Sequence, residues 1–273
     1  MITFFQEIFQ YGFLSNAAIA CVLSGLACGI IGTYIVCRRL VFLSGGITHS
    51  SFGGIGIAYY LGWNPVWGAL AFAVLSAMGI EGLSRRGRIR EDSAIGILWS
   101  LGMAVGIVFV AMTPGYAPNL MSFLFGNILT ISRADLIAML VLDVILLGVM
   151  LLFYRPVLYI SFDREYAETQ HSPVRFISYL MLVLVAVTIV LSIRMVGIVL
   201  LISLLTVPPV IVNSLTRSYK KITVYSCLVT ALAAFTGLYV SYRTDIPSGA
   251  STIIVLTFAL ILVKAGVYLF KKH

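Results

Sequence analysis

His49 is the residue of this chain best suited to hold a cation. It stands in Leu43-Ser-Gly-Gly-Ile-Thr-His-Ser-Ser-Phe-Gly-Gly-Ile-Gly56, within an apolar run long enough to cross a bilayer. A metal-competent side chain at membrane depth is costly and marks a functional site by default. Neutral imidazole is a ligand for Zn(II), Mn(II) and Fe(II). On a helix, Gly45, His49, Gly53 and Gly56 share one face, flanked by Thr48, Ser50 and Ser51. Such small and hydroxyl residues let neighbouring helices approach and leave polar groups facing a cavity. Gly45-Gly46 and Gly53-Gly54 also predict a loosened helix, since each glycine costs about 1 kcal/mol relative to alanine. Transporters place such helices at binding sites near the midplane. The same residues fit a plainer role, a histidine hydrogen-bonded to another helix among glycines that only pack. Their chemistry leaves both readings open.

Asp143 is the second polar residue deep in an apolar segment. It can carry a cation or pair with a backbone or hydroxyl donor. Arg133 and Asp135 fall near a segment end and anchor it, and Lys264 can snorkel to the interface. Gly25-Leu-Ala-Cys-Gly29 is a GxxxG, a signal of helix packing that also fits a dimer interface. No G-x-x-x-x-G-K-[ST], HExxH or GxSxG occurs, so neither an ATP site nor a hydrolase is encoded.

The elements that position these residues are membrane helices. Of 273 residues, 60% are hydrophobic and 10% charged, against roughly 25% charged in soluble domains. The net charge of +8 comes from basic residues that punctuate apolar segments, which excludes a nucleic-acid surface. The four cysteines form no CxxC pair. The N-terminus lacks a basic n-region and does not read as a signal peptide. Its aromatics, including Phe4, Phe9 and Tyr11, predict an interfacial segment.

Nine apolar windows approach the ~20 residues needed to span: 15–36, 40–62, 65–80, 93–112, 134–154, 174–193, 195–215, 222–241 and 251–270. The third is short, and only Arg194 separates the sixth from the seventh, so one can be a half-span and the count is eight or nine; consistent alternation of the charges across nine segments favours nine. Fourteen Lys/Arg residues fall on one side of this layout and three on the other, with Lys264 inside the last window. The basic side is cytoplasmic, which places the N-terminus outside and the C-terminus inside. Trp63 and Trp67 join the outer aromatic belt. Between Pro114 and Ser132, the apolar part that follows Asn119, about 12 residues, is too short to span and too apolar for water, and predicts an outer re-entrant or interfacial helix. Ser161 to Glu168 predicts one short amphipathic helix on the cytoplasmic side, with Phe162 and Tyr166 on one face. The expected fold is therefore an all-α polytopic bundle of 8–9 transmembrane helices, a single domain over 1–273.

The order of motifs resembles the permease subunits of manganese/zinc/iron ABC importers from about residue 15 to 270. Arg38-Arg-Leu-Val-Phe-Leu-Ser-Gly-Gly-Ile-Thr-His-Ser-Ser-Phe-Gly53 is similar to that family's Arg-Arg…Gly-Asp-x-x-Ser-His…Gly signature. Phe123-Leu-Phe-Gly-Asn-Ile-Leu129 resembles its Leu-Phe-Gly element, and Ile160 to Ala167 its cytoplasmic coupling segment. Met195 to Pro208 resembles its Val-Gly…Pro span, and Asp245-Ile-Pro-Ser-Gly249 its outer turn. The resemblance implies a homodimer with cytoplasmic ABC ATPase subunits, an extracytoplasmic metal-binding protein and a lipid environment in the cell membrane. It implies no permanent cofactor, ATP only on the partner, and a divalent metal as cargo. His49, Thr48, Ser50 and Asp143 would then serve the metal path, lined by Gly45, Gly46 and Gly53. Asp163, Glu165 and Ala167 would lie in the ATPase-coupling helix. Asp245, Pro247 and Gly249 would shape the outer gate beside the binding protein.

Two departures stand out. The family's carboxylate four residues before the histidine is Gly45 here, which shifts the expectation slightly toward a softer, histidine-friendly ion such as Zn(II). The glycine usual shortly after the coupling segment's alanine is missing from Glu168-Thr-Gln-His-Ser172. Two other functions use the same residues. A secondary cation transporter needs no ATPase, and an ABC importer of a metal chelate (siderophore or cobalamin type) needs a wider path.

Overall fold

The computed structural model describes residues 2–87, 89–113 and 131–271. Among these residues every element is a helix. In chain order they are α1 (Ile2–Gln10), α2 (Gly12–Cys37), α3 (Val41–Tyr60), α4 (Pro65–Arg86), α5 (Glu91–Met112) and α6 (Arg133–Leu152). Then follow α7 (Tyr154–Phe162), α8 (Arg164–Thr169), α9 (Val174–Val196), α10 (Ile198–Asn213), α11 (Tyr219–Thr244) and α12 (Ser248–Lys271). The expected re-entrant segment and the Phe123–Leu129 motif lie outside the described residues.

Among the described residues seven helices have the length and apolarity to cross a membrane: α2, α4, α5, α6, α9, α11 and α12. The protein is thus a polytopic, multi-pass membrane protein. The third window is not short. Pro65 opens α4 behind Asn64, whose side chain accepts the Val66 N–H, and the helix runs 22 residues. The seventh window is the short one. Gly197 takes φ 78°, which ends α9 and leaves α10 only 16 residues. α3 has 20 residues, but its glycines, hydroxyls and histidine keep it out of these seven.

The chain divides into two compact units. One comprises Met1–Val36, Met121–Leu152 and Leu191–His273. Its centre is α2, which packs glycine-first. A Cβ on Gly25 would fall 2.6 Å from that of Ala231, and one on Gly29 2.5 Å from the Cys227 backbone, both on α11. The GxxxG therefore serves packing within this chain. Phe4 of α1 is buried against α11, with ring contacts to Phe235, Tyr239 and Tyr242. Phe9 stays exposed, so only part of the N-terminal aromatic set faces outward. All four cysteines are free.

The second unit comprises Cys37–Leu120 and Phe153–Val190. Here α3 lies against α4 and α5 at backbone distance. Gly54 and Gly68 bring α3 and α4 so close that a Cβ on either would overlap the other's carbonyl oxygen. A Cβ on Gly53 would sit 2.8 Å from the Gly102 carbonyl, and one on Gly56 2.5 Å from that of Gly106. The loosened helix expected around Gly45–Gly54 does not form. α3 runs unbroken because contact with α4 and α5 outweighs the low helix propensity of its glycines.

Candidate functional site

His49 emerges on the α3 face that meets α5. Its imidazole stacks on the Trp99 indole, with ring centres 4.6 Å apart and planes within 5°. Gly45, one turn earlier, faces the same indole. A Cβ there would meet Trp99 Cζ3 at 3.4 Å, an ordinary contact. His49 is half-buried, whereas Thr48 and Ser50 beside it are buried. The Ser50 hydroxyl donates to the Ile47 carbonyl at 3.1 Å. Thr48 Oγ1 finds no hydrogen-bond partner among the described residues. Gly46 and Gly53 are buried against Ile95 and Gly102 of α5. Among the described residues no three His, Cys, Asp or Glu side chains converge into a fixed metal site.

Asp143 belongs to α6, in the other unit. It is only 2% exposed, and neither carboxylate oxygen has a hydrogen-bond partner among the described residues. Asp135 does anchor its helix, as expected. Its carboxylate accepts from the Ser132 N–H at 3.1 Å and hydroxyl at 2.7 Å, and pairs with Arg194 at 2.6 Å.

The expected single amphipathic helix over Ser161–Glu168 is two helices. Asp163 turns extended (φ −149°, ψ 109°) and caps α8 by accepting the Tyr166 N–H at 3.0 Å. Phe162 and Tyr166 therefore sit on different helices, and Tyr166 meets Tyr159 edge-on instead. Asp163 and Glu165 are exposed, while Ala167 is fully buried. α8 ends in a Schellman motif. The Ser172 N–H reaches the Ala167 carbonyl at 3.3 Å and the His171 N–H that of Glu168 at 3.1 Å. His171 takes φ 53°, so the missing glycine falls at the left-handed position.

A cluster that sequence reasoning missed ties α8 to α4. Glu81 is 2% exposed, and its Oε1 lies 2.7 Å from Arg164 Nη2 and 3.6 Å from Arg85 Nε. Arg85 also reaches Glu168 at 3.7 Å. Asp143 is thus not alone as a carboxylate within a spanning helix. The missed signal was Glu81 four residues before Arg85, just past the window end at 80. In the same unit, Arg38 pairs with Glu91 at the start of α5, at 3.2 Å.

In the other unit, Asp245 closes α11 in the left-handed conformation, φ 56°. The Ser241 hydroxyl donates to the Ile246 carbonyl at 2.6 Å, and the Pro247 carbonyl accepts the Ser251 N–H at 3.1 Å. Gly249 lies in the first turn of α12.

A long-helix membrane chain with a half-buried histidine on a glycine- and serine-rich helix has the build of a transport component. The comparisons define it further. Residues 10–266 match the ABC 3 transport family, and the chain belongs to it. It is 37% identical to an uncharacterized membrane protein of Synechocystis, covering 96% of this chain and 93% of that one. It is 35% identical to the manganese transport system membrane protein MntC of Halalkalibacterium halodurans, covering 94% and 89%. Among solved structures, PsaBC from Streptococcus pneumoniae in complex with a Fab superposes with a TM-score of 0.84 at 27% identity, covering 96% and 95%. The chain is a membrane permease subunit related to manganese and other metal transport systems.

Proposed function

We propose that this chain carries divalent transition metals across the cell membrane as the permease of an ATP-driven importer. The carrying observation is His49, a metal-competent side chain left half-open on a helix whose neighbouring residues are buried. Two permease copies form the path. A two-fold axis gives the cargo two histidines from one position per chain, with Thr48 and Ser50 beside each, and Asp143 is a further candidate for the path. This compensates for the absence of a carboxylate at Gly45 and favours Zn(II) among the candidate ions.

The remaining assignments follow from charge and placement. The basic side is cytoplasmic, so the N-terminus lies outside and the C-terminus inside. α3 adds an eighth span, and α10 is a ninth, partial one. Its 16 residues reach about 24 Å, short of the ~30 Å hydrocarbon core. α8, with exposed Asp163 and Glu165 and with Ala167 turned inward, seats in an ATPase subunit. The Asp245–Gly249 turn faces the metal-delivering binding protein. Both compact units act as one permease domain.

The test is metal uptake by proteoliposomes holding the permease, its ATPase and its binding protein. We expect ATP-dependent uptake with preference for Zn(II) over Mn(II) and Fe(II). Uptake that proceeds without ATP or the ATPase subunit would contradict an importer and favour a secondary transporter.

A further inference from the structure

Nothing in the sequence pairs His49 with a residue fifty positions away, yet the structure lays the Trp99 indole flat on its imidazole. We propose that Trp99 is the positioning residue of the metal site, holding His49 in the orientation that receives the cation. This rests on the reading of His49 as a metal ligand.

Imidazole binds metals through nitrogen lone pairs that lie in the ring plane. A partner stacked on the face leaves that edge free, so the stack and a metal–nitrogen bond coexist. Indole suits this task because its nitrogen only donates a hydrogen bond. It orients the ring without competing for the ion. The rings meet at 4.6 Å and 5°, within the range of favourable offset stacking. The backbone sets that spacing. Gly53 against Gly102 and Gly56 against Gly106 fix how closely α3 and α5 approach. Gly45 completes the arrangement, since the indole that covers His49 also lies over this residue one turn earlier. The imidazole is therefore restrained before the cation arrives, and less ordering remains to be done on binding.

Two readouts test this on the full-length permease in nanodiscs. In equilibrium binding of radioactive Zn(II), Trp99→Ala should weaken affinity about 3- to 10-fold, the scale of one lost aromatic pair. Trp99→Phe should restore most of it. In a Trp63→Phe/Trp67→Phe background Trp99 is the sole tryptophan. Its emission should change saturably with Zn(II), and His49→Ala should abolish that change. Wild-type affinity in Trp99→Ala, or an emission change that survives His49→Ala, would overturn the proposal. The parent reading fails differently, through His49→Ala binding Zn(II) like the wild type. Loss of binding in His49→Ala together with full affinity in Trp99→Ala defeats the positioning role alone.

Discussion

His49 and Asp143 are both polar side chains inside apolar helices, and the structure treats them in opposite ways. His49 has its ring face covered by Trp99 and remains half-open. Asp143 is buried with Met139, Leu142 and Leu146 on one face of a helix whose other face, with Ile137, Val144 and Leu151, is widely exposed. Its oxygens have no donor among the described residues. Glu81 supplies a third case, equally buried but held by two arginines. Burial of a polar group is costly unless it is paired. Glu81 thus reads as architecture that ties α8 to α4, His49 as the proposed ligand, and Asp143 as a group with no partner among the described residues.

The largest effect should come from the packing that presents His49. Gly54→Ala drives a methyl into the Gly68 carbonyl. Backbone must move, so destabilisation should reach or pass the top of the usual range of about 1–3 kcal/mol for overpacking. Thermal unfolding in detergent measures it, and a tolerated alanine would show that α3 is free to shift. Next comes Glu81→Ala, which leaves Arg164 without its short ion pair. We expect a loss of about 2 kcal/mol and weakened stimulation of the partner ATPase. Unchanged stimulation would separate this cluster from coupling.

Asp143→Leu should act in the other direction. Replacing an unpaired buried carboxylate with an apolar side chain of similar size removes a desolvation penalty of about 1–3 kcal/mol. The melting temperature should rise, and a fall would reveal a partner for Asp143. The smallest effect concerns α8. His171→Gly relieves the left-handed strain at the Schellman position and should stabilise by about 1 kcal/mol. Chemical denaturation reads the gain, and a loss would mean that the His171 side chain makes a compensating contact.

Much of this was legible in the residues. Apolar windows marked the long helices, and the polar cluster around His49 singled out the site proposed above. What escaped were features set by distant contacts. The glycines of α3 predict a weak helix by propensity, yet Gly68, Gly102 and Gly106 on two other helices make the same glycines a tight seam. Trp99 carries no local signal because its partner lies on another helix. Glu81 was hidden because hydropathy alone ends its window at residue 80, whereas the helix continues to Arg86. The break at Asp163 had a local signal, an aspartate able to cap the N–H three residues on, which the i, i+4 pattern of Phe162 and Tyr166 masked.

The most direct test of the central claim sets His49→Ala beside Asp143→Asn in the reconstituted importer. The account predicts background uptake of Zn(II) for His49→Ala with the complex still assembled, and measurable ATP-driven uptake for Asp143→Asn. Wild-type uptake by His49→Ala would contradict it.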